Sequence, residues 1–209
     1  MKKMILSLLL ISSITLNAQN EKYTQIMGST LKAFDEAKTS AELTALAAKF
    51  ERIGDAEKTE WLPYYYAAMI KARLSMMEAA NKDQTADEAT VIIGKAEALS
   101  SNNSEIYCVK SMIATAKMLV DPMNRWQQYG AESAKNLAAA KAADTTNPRP
   151  YVLEANALKN TPENFGGGCK TAKPIAEKAI ALFTNSQPVN SLYPDWGKEM
   201  VESIIKDCK

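Results

Sequence analysis

Apolar side chains recur at intervals of three and four residues along nearly the whole chain, and this spacing constrains the fold more than any other feature. Residues so spaced lie on one face of an α-helix. Early examples are Tyr23, Ile26, Met27, Thr30, Leu31 and Phe34, followed by Leu43, Leu46, Ala47, Phe50 and Ile53. No segment shows the sustained apolar–polar alternation of a half-buried strand. The sequence therefore predicts an all-α chain of about nine helices.

Several helix ends carry recognisable signals. Thr39 and Glu42 have the spacing of a capping box, which predicts a helix start. Proline is favoured in the first turn, so Pro122 predicts another start, and the Asn147-Pro148 pair a third. By the same argument, Pro194 predicts the start of the last helix.

The first residues have the layout of an export signal. Lys2 and Lys3 precede an apolar run that ends near Leu16, and Ala18 offers a small residue for cleavage. The run is shorter than the roughly 20 residues of a membrane-spanning helix. We predict a cleaved signal peptide over residues 1–18, a single domain over residues 19–209, no membrane span in the mature chain, and a periplasmic or secreted protein.

The chain contains no histidine. This excludes Ser-His-Asp and Cys-His catalysis and any histidine-ligated metal. A net charge of +1 without a basic block gives no electrostatic footprint for nucleic acid. Acidic residues such as Asp83, Asp87 and Glu88 fit helix starts and exposed faces. We expect a protein that is not an enzyme, without a cofactor, a metal or a nucleic-acid partner.

The stretch TPENFGGGCKT, residues 161–171, resembles a phosphate-binding loop at first sight. Such a loop needs Gly, four residues and Gly-Lys-Ser/Thr after a strand. Here Lys170 and Thr171 match, but Asn164 and Cys169 stand at the two glycine positions. We expect the glycines to form a tight turn between helices, with Phe165 tucked under it.

Cysteine usage suggests one bridge. Thiols of exported proteins usually pair. Cys169 lies at a predicted helix start and Cys208 at the chain end, whereas Cys108 lies among apolar residues of a helix. We predict a Cys169–Cys208 disulfide and a buried free Cys108; the alternative is that Cys169 and Cys208 are unpaired.

The aromatic run at residues 61–66 is the main candidate for binding. Successive residues of a helix are about 100° apart, so Tyr64, Tyr65 and Tyr66 do not all face one core. Tyr65 belongs with the apolar stripe, and Tyr64 or Tyr66 is expected at the surface or in a groove. Ordinary packing with a wet hydroxyl is the alternative.

The aromatic residues near the predicted helix starts also repeat along the chain. The segments WLPYYYAAMIKARL, SEIYCVKSMIATAKML and RPYVLEANALKN place Tyr65, Tyr107 and Tyr151 at separations of 42 and 44 residues. Each segment is followed by an alanine-rich second helix. Alanines let helices approach closely, so the pattern predicts stacked antiparallel hairpins in a solenoid.

The stretch AAKAADTTNPRPYVLEANALKNTPENFGGGCKTAKPIAEKAIALF, residues 139–183, resembles a divergent exported tetratricopeptide-type repeat. The Asn-Pro-Arg start, the TPE-F-GGG loop and the helix after it carry the resemblance, and YPDWGKE at residues 193–199 is similar to its closing helix. The spacing exceeds the usual period of about 34 residues. The resemblance implies a binding or scaffold role and brings no catalytic residues.

Together these features predict an exported helical-repeat protein that binds a peptide, a protein segment or an envelope component in a groove lined by Tyr64 and Tyr66. The alternative is a periplasmic small-molecule-binding protein or a carboxylate-dependent hydrolase. The identity of the partner and the oligomeric state stay open at this point.

Overall fold

A computed structural model describes residues 21–77, 81–185 and 188–208. The predicted signal peptide, residues 1–18, lies outside these ranges. Within them the chain is all-α, with nine α-helices and no strand. The helices are α1 (21–36), α2 (Ser40–Glu57), α3 (Leu62–Met77), α4 (Lys82–Leu99), α5 (Ser104–Val120), α6 (Pro122–Ala143), α7 (Arg149–Asn160), α8 (Cys169–Asn185) and α9 (Lys198–Asp207). A short 3₁₀ turn, Glu163–Phe165, precedes α8. None of the described helices is both long enough and apolar enough to cross a bilayer.

The helices stack as hairpins. Each of α3, α5 and α7 packs against the helix that follows it. In addition, α3 packs against α5 and α5 against α7, so these three form an inner row, and α9 closes the stack by packing on α7 and α8. The predicted fold class, an all-α stack of helical hairpins, is confirmed.

The local signals account for where most helices begin. The Thr39 side chain accepts from the Glu42 N–H at 3.2 Å, and the Glu42 carboxylate accepts from the Thr39 N–H at 2.9 Å, which completes the predicted capping box. The Asp121 side chain caps α6, whose first residue is Pro122. These bonds satisfy N–H groups that have no acceptor inside the helix.

The last helix starts later than predicted. It begins at Lys198, after Gly197 with φ of 111°, and not at Pro194. The Pro194 carbonyl accepts a hydrogen bond from the Arg149 guanidinium instead of from a following helical turn. A tertiary contact therefore overrides the proline signal.

Burial is concentrated on α3. Its residues from Leu62 to Ile70 are all buried, because α2, α4 and α5 surround it. Gly54 of α2 allows this close approach: a Cβ placed there would lie 2.7 Å from the Tyr64 ring. A second cluster holds α7, α8 and α9 together around Val152, Ala176 and Val201.

Candidate functional site

A segment of the chain itself covers the aromatic end of α3. We call residues 188–197, which connect α8 to α9, the C-terminal strap. The Tyr66 hydroxyl donates to the Leu192 carbonyl at 2.8 Å, and the Trp196 indole N–H donates to the Tyr65 hydroxyl at 2.8 Å. Leu192 is buried in the same core cluster as α3. The strap thus occupies the inner face where the sequence predicted a groove.

The expectation that Tyr64 or Tyr66 reaches the surface is wrong. Their exposed fractions are 6% and 4%. The Tyr64 ring lies over Gly54 and its hydroxyl donates to Asp55 Oδ1 at 2.8 Å, while the strap covers Tyr66. Three consecutive tyrosines are buried because neighbours enclose α3 on every side, so their substitution by alanine would damage the core.

A buried ion pair lies under the strap. Glu105 at the start of α5 and Arg149 at the start of α7 are joined by a 3.1 Å contact, and each side chain is 10% exposed. The Glu105 carboxylate also accepts from the Asn147 amide at 2.7 Å and the Tyr65 hydroxyl at 3.1 Å. Burial raises the pKa of Glu105, and Arg149 partly opposes this rise. The pair fastens the strap, because Arg149 also donates to Pro194.

A cavity of about 370 Å³ opens beside this network. Its walls come from the starts of α5 and α7, from the strap and from Phe183 of α8. Its charged residues are Glu105, Arg149, Asp144 and Asp195. Three carboxylates against one guanidinium give the cavity an acidic lining, which disfavours an anionic ligand.

The glycine loop is a tight turn, as predicted, and its N–H groups are occupied. Gly166, Gly167 and Gly168 donate to the carbonyls of Glu163, Pro162 and Leu158 at 2.9, 3.2 and 2.9 Å. Gly166 and Gly168 have φ of 84° and 86°, a region that favours glycine. These three glycines therefore have no free N–H groups to hold a phosphate.

Phe165 does not lie under this loop. It is 77% exposed on the 3₁₀ turn, so the expectation that it packs beneath the glycines is wrong. The loop is closed by backbone contacts: a Cβ on Gly167 would lie 2.1 Å from the Thr161 carbonyl oxygen. Gly167 therefore leaves no space for a side chain, whereas a Cβ on Gly166 would meet no atom within 4 Å.

Replacing Gly167 with alanine is expected to lower the free energy of unfolding by about 1–3 kcal/mol, because backbone must move to admit the methyl group. Gly94, in the middle of α4, is the matched control, since a Cβ placed there would meet no atom within 4 Å. Its replacement by alanine is expected to raise stability by up to about 1 kcal/mol. Urea unfolding of both variants measures the difference, and equal effects would contradict the close contact at Thr161.

The cysteines pair as predicted. Cys169 at the start of α8 and Cys208 after α9 are joined with an S–S distance of 2.12 Å. Cys108 is a free, buried thiol, and burial raises its pKa. The bridge ties the glycine loop to the end of α9, so both ends of the segment that carries the strap are fixed to one another.

An exposed apolar surface lies at the turn between α5 and α6. We call Leu119, Met123 and Trp126 the apolar tip; their exposed fractions are 42%, 85% and 59%. Arg125, in the same helical turn, binds both carboxylate oxygens of Asp83 at 2.5 and 3.0 Å. The buried residues of α6, Leu137 and Ala140, lie in its other half.

Periodicity did not reveal the apolar tip, because Trp126 has the helical spacing of a core residue. A signal was present: between Trp126 and Leu137 that face contains only Tyr129 and small or polar residues. An amphipathic helix packed along its whole length would carry large apolar residues at each turn. The first half of α6 therefore has less to bury than its length suggests.

The chain has a relative among solved structures. No protein-family model matches it, and no curated protein matches it. It is similar to the HusA haemophore from Porphyromonas gingivalis, with 37% sequence identity and a TM-score of 0.82. The similarity covers 90% of this chain and 92% of that protein. The chain belongs to the HusA family. The tetratricopeptide resemblance stays a prediction, because no family model supports it.

Proposed function

We propose that this protein is an exported, non-enzymatic carrier that binds haem or a related porphyrin. The observation that carries the proposal is its 37% identity to a haemophore over 92% of that protein's length. The same fold over nearly the whole chain favours the same class of ligand. The Cys169–Cys208 bridge supports export, because disulfides persist in oxidising compartments.

The composition limits how a porphyrin would be held. With no histidine in the chain, the commonest protein ligand of haem iron is missing. Methionine and tyrosine are the other iron ligands that the chain offers in number, with 10 and 8 residues in the full sequence, of which Met1 and Met4 lie in the predicted signal peptide. Apolar and aromatic contacts with the ring must then supply much of the affinity.

The relationship to a haemophore favours the small-molecule alternative over peptide recognition in a groove. A peptide at the aromatic face of α3 would first have to displace the C-terminal strap, which is bonded to Tyr65, Tyr66 and Arg149. The hydrolase alternative receives no support from Glu105, since its carboxylate is engaged by Asn147 and Arg149.

Titration of the mature protein with haemin and with metal-free protoporphyrin tests the proposal. We expect saturable changes of the Soret absorption at a fixed stoichiometry, with dissociation constants in the micromolar range or tighter. Binding of both probes would show that the ring supplies the contacts, and binding of haemin alone would show that iron ligation is required.

A helical protein of similar size and charge without a porphyrin site serves as the control, because haemin adsorbs to many apolar surfaces. If the two proteins give the same spectra and the same linear, unsaturable response with both probes, the proposed function is wrong.

A further inference from the structure

We propose that the porphyrin binds at the apolar tip, with its ring against Trp126 and Met123 and its carboxylates towards Arg125. This inference rests on the proposed function and adds a location, which the relationship to a haemophore does not provide. It depends on three features of the described residues: exposure, geometry and charge.

The exposure of the tip indicates a binding surface. Large apolar side chains scattered singly over a surface are ordinary, whereas several exposed ones close together in the chain form a candidate binding surface. Met123 and Trp126 are 85% and 59% exposed, and Leu119 lies just before them, at the end of α5. Tryptophan is among the residues that most often dominate binding energy, because it offers a large flat area with few rotatable bonds.

The geometry suits a planar ligand. Met123 and Trp126 are three residues apart in α6, so their side chains emerge on the same side of the helix. Arg125 joins the underlying helix to Asp83 of α4 and to the Lys117 carbonyl of α5. A thioether and an indole on a fixed helical face can lie along one ring, and such packing is favourable for both side chains.

The cavity beside the strap has three carboxylates around one guanidinium, whereas Arg125 at the tip has two acidic neighbours, Asp83 and Asp121. A porphyrin with two propionates is anionic, and the cavity has an acidic lining formed by Glu105, Asp144 and Asp195. At the tip, three of the five guanidinium donors of Arg125 bind Asp83 and Lys117, which leaves two for a ligand carboxylate. Arginine pairs with carboxylates in a fixed bidentate geometry.

The decisive experiment compares two double variants of the mature protein. Met123→Ala with Trp126→Ala removes the two most exposed side chains of the tip, and Val91→Ala with Phe165→Ala removes two side chains that are 66% and 77% exposed elsewhere. We expect the first variant to bind metal-free protoporphyrin at least about tenfold more weakly. The second should bind within about twofold of the unaltered protein, as contacts outside a site do. Circular dichroism and thermal unfolding verify that both variants fold.

Oxidation of methionine tests the location of the porphyrin independently and needs no amino-acid substitution. Met123 is expected to be oxidised readily by chloramine-T and to be protected by bound metal-free protoporphyrin, while Met200, 42% exposed on α9, is not protected. Mass spectrometry of peptides measures both.

If the protein binds porphyrin but the tip variant binds equally well, or Met123 stays unprotected, the location is wrong while the proposed function stands. If the unaltered protein binds neither probe, the proposed function itself is wrong and this inference falls with it.

Discussion

Replacing Arg149 with methionine is expected to lower the free energy of unfolding by about 3–5 kcal/mol, because it leaves the Glu105 carboxylate buried without its cation. Both side chains are 10% exposed, so water does not replace the lost partner. The variant also loses the hydrogen bond to the Pro194 carbonyl, which holds the C-terminal strap. Chemical denaturation followed by circular dichroism measures the effect.

The loss should depend on pH in a defined direction. Burial already raises the pKa of Glu105, and removal of Arg149 raises it further. A carboxyl group whose pKa is raised by folding destabilises the fold when it is charged, so the penalty is absent below its unfolded pKa, about 4.3. It grows as pH rises through the folded pKa. The deficit of the Arg149→Met variant should therefore be largest near neutral pH and shrink as the solution is acidified.

Arg125 provides the matched control. It forms an ion pair with Asp83, whose side chain is 50% exposed, so Arg125→Met should cost far less stability than Arg149→Met. A third variant, with Glu105→Gln added to Arg149→Met, removes the stranded charge and should recover part of the loss at neutral pH. Equal costs for Arg149→Met and Arg125→Met would show that the buried pair does not fasten the strap.

The fold was predictable from the sequence because its signals are local. The capping box at Thr39 and the proline at the start of α6 act within a few residues, and the structure has helix starts at both places. The start of α9 was not predictable. It depends on a contact between Pro194 and Arg149, which are 45 residues apart.

The candidate site was harder to predict from the sequence, because it too depends on contacts between residues far apart in the chain. Consecutive tyrosines are expected to face different surroundings only where a helix has one buried face. Tyr64, Tyr65 and Tyr66 depart from this because α3 is enclosed by three helices and by a strap more than 120 residues further along the chain. In contrast, Trp126 has the spacing of a core residue and is exposed. In both cases burial depends on whether another part of the chain packs against the side chain, and the spacing of apolar residues does not give this information.

Removing the disulfide with Cys169→Ser and Cys208→Ser together is expected to lower the free energy of unfolding by about 4 kcal/mol. The two cysteines are 39 residues apart, and closing a loop of that length restricts the unfolded chain by roughly this amount in the chain-entropy model. The loop contains α8, the C-terminal strap and α9, so without the bridge the unfolded chain gains freedom over all three segments. Urea unfolding of the oxidised protein and of the double variant measures the difference.

The double variant also distinguishes two ways for the disulfide to stabilise the fold: by restricting the unfolded chain, or by packing locally in the folded protein. If the bridge acts by entropy, the double variant should keep the native circular dichroism spectrum and its hydrogen-exchange protection in α3, and only its unfolding midpoint should fall. Adding reductant should lower the stability of the unaltered protein by the same amount and leave the double variant unchanged. The buried Cys108 is kept in all samples, so a reductant effect on the double variant would contradict its assignment as a free thiol. A loss well below 1 kcal/mol would mean that the strap and α9 are held by Arg149 and by their apolar contacts with α7 and α8, and that the bridge adds little to the stability of the fold.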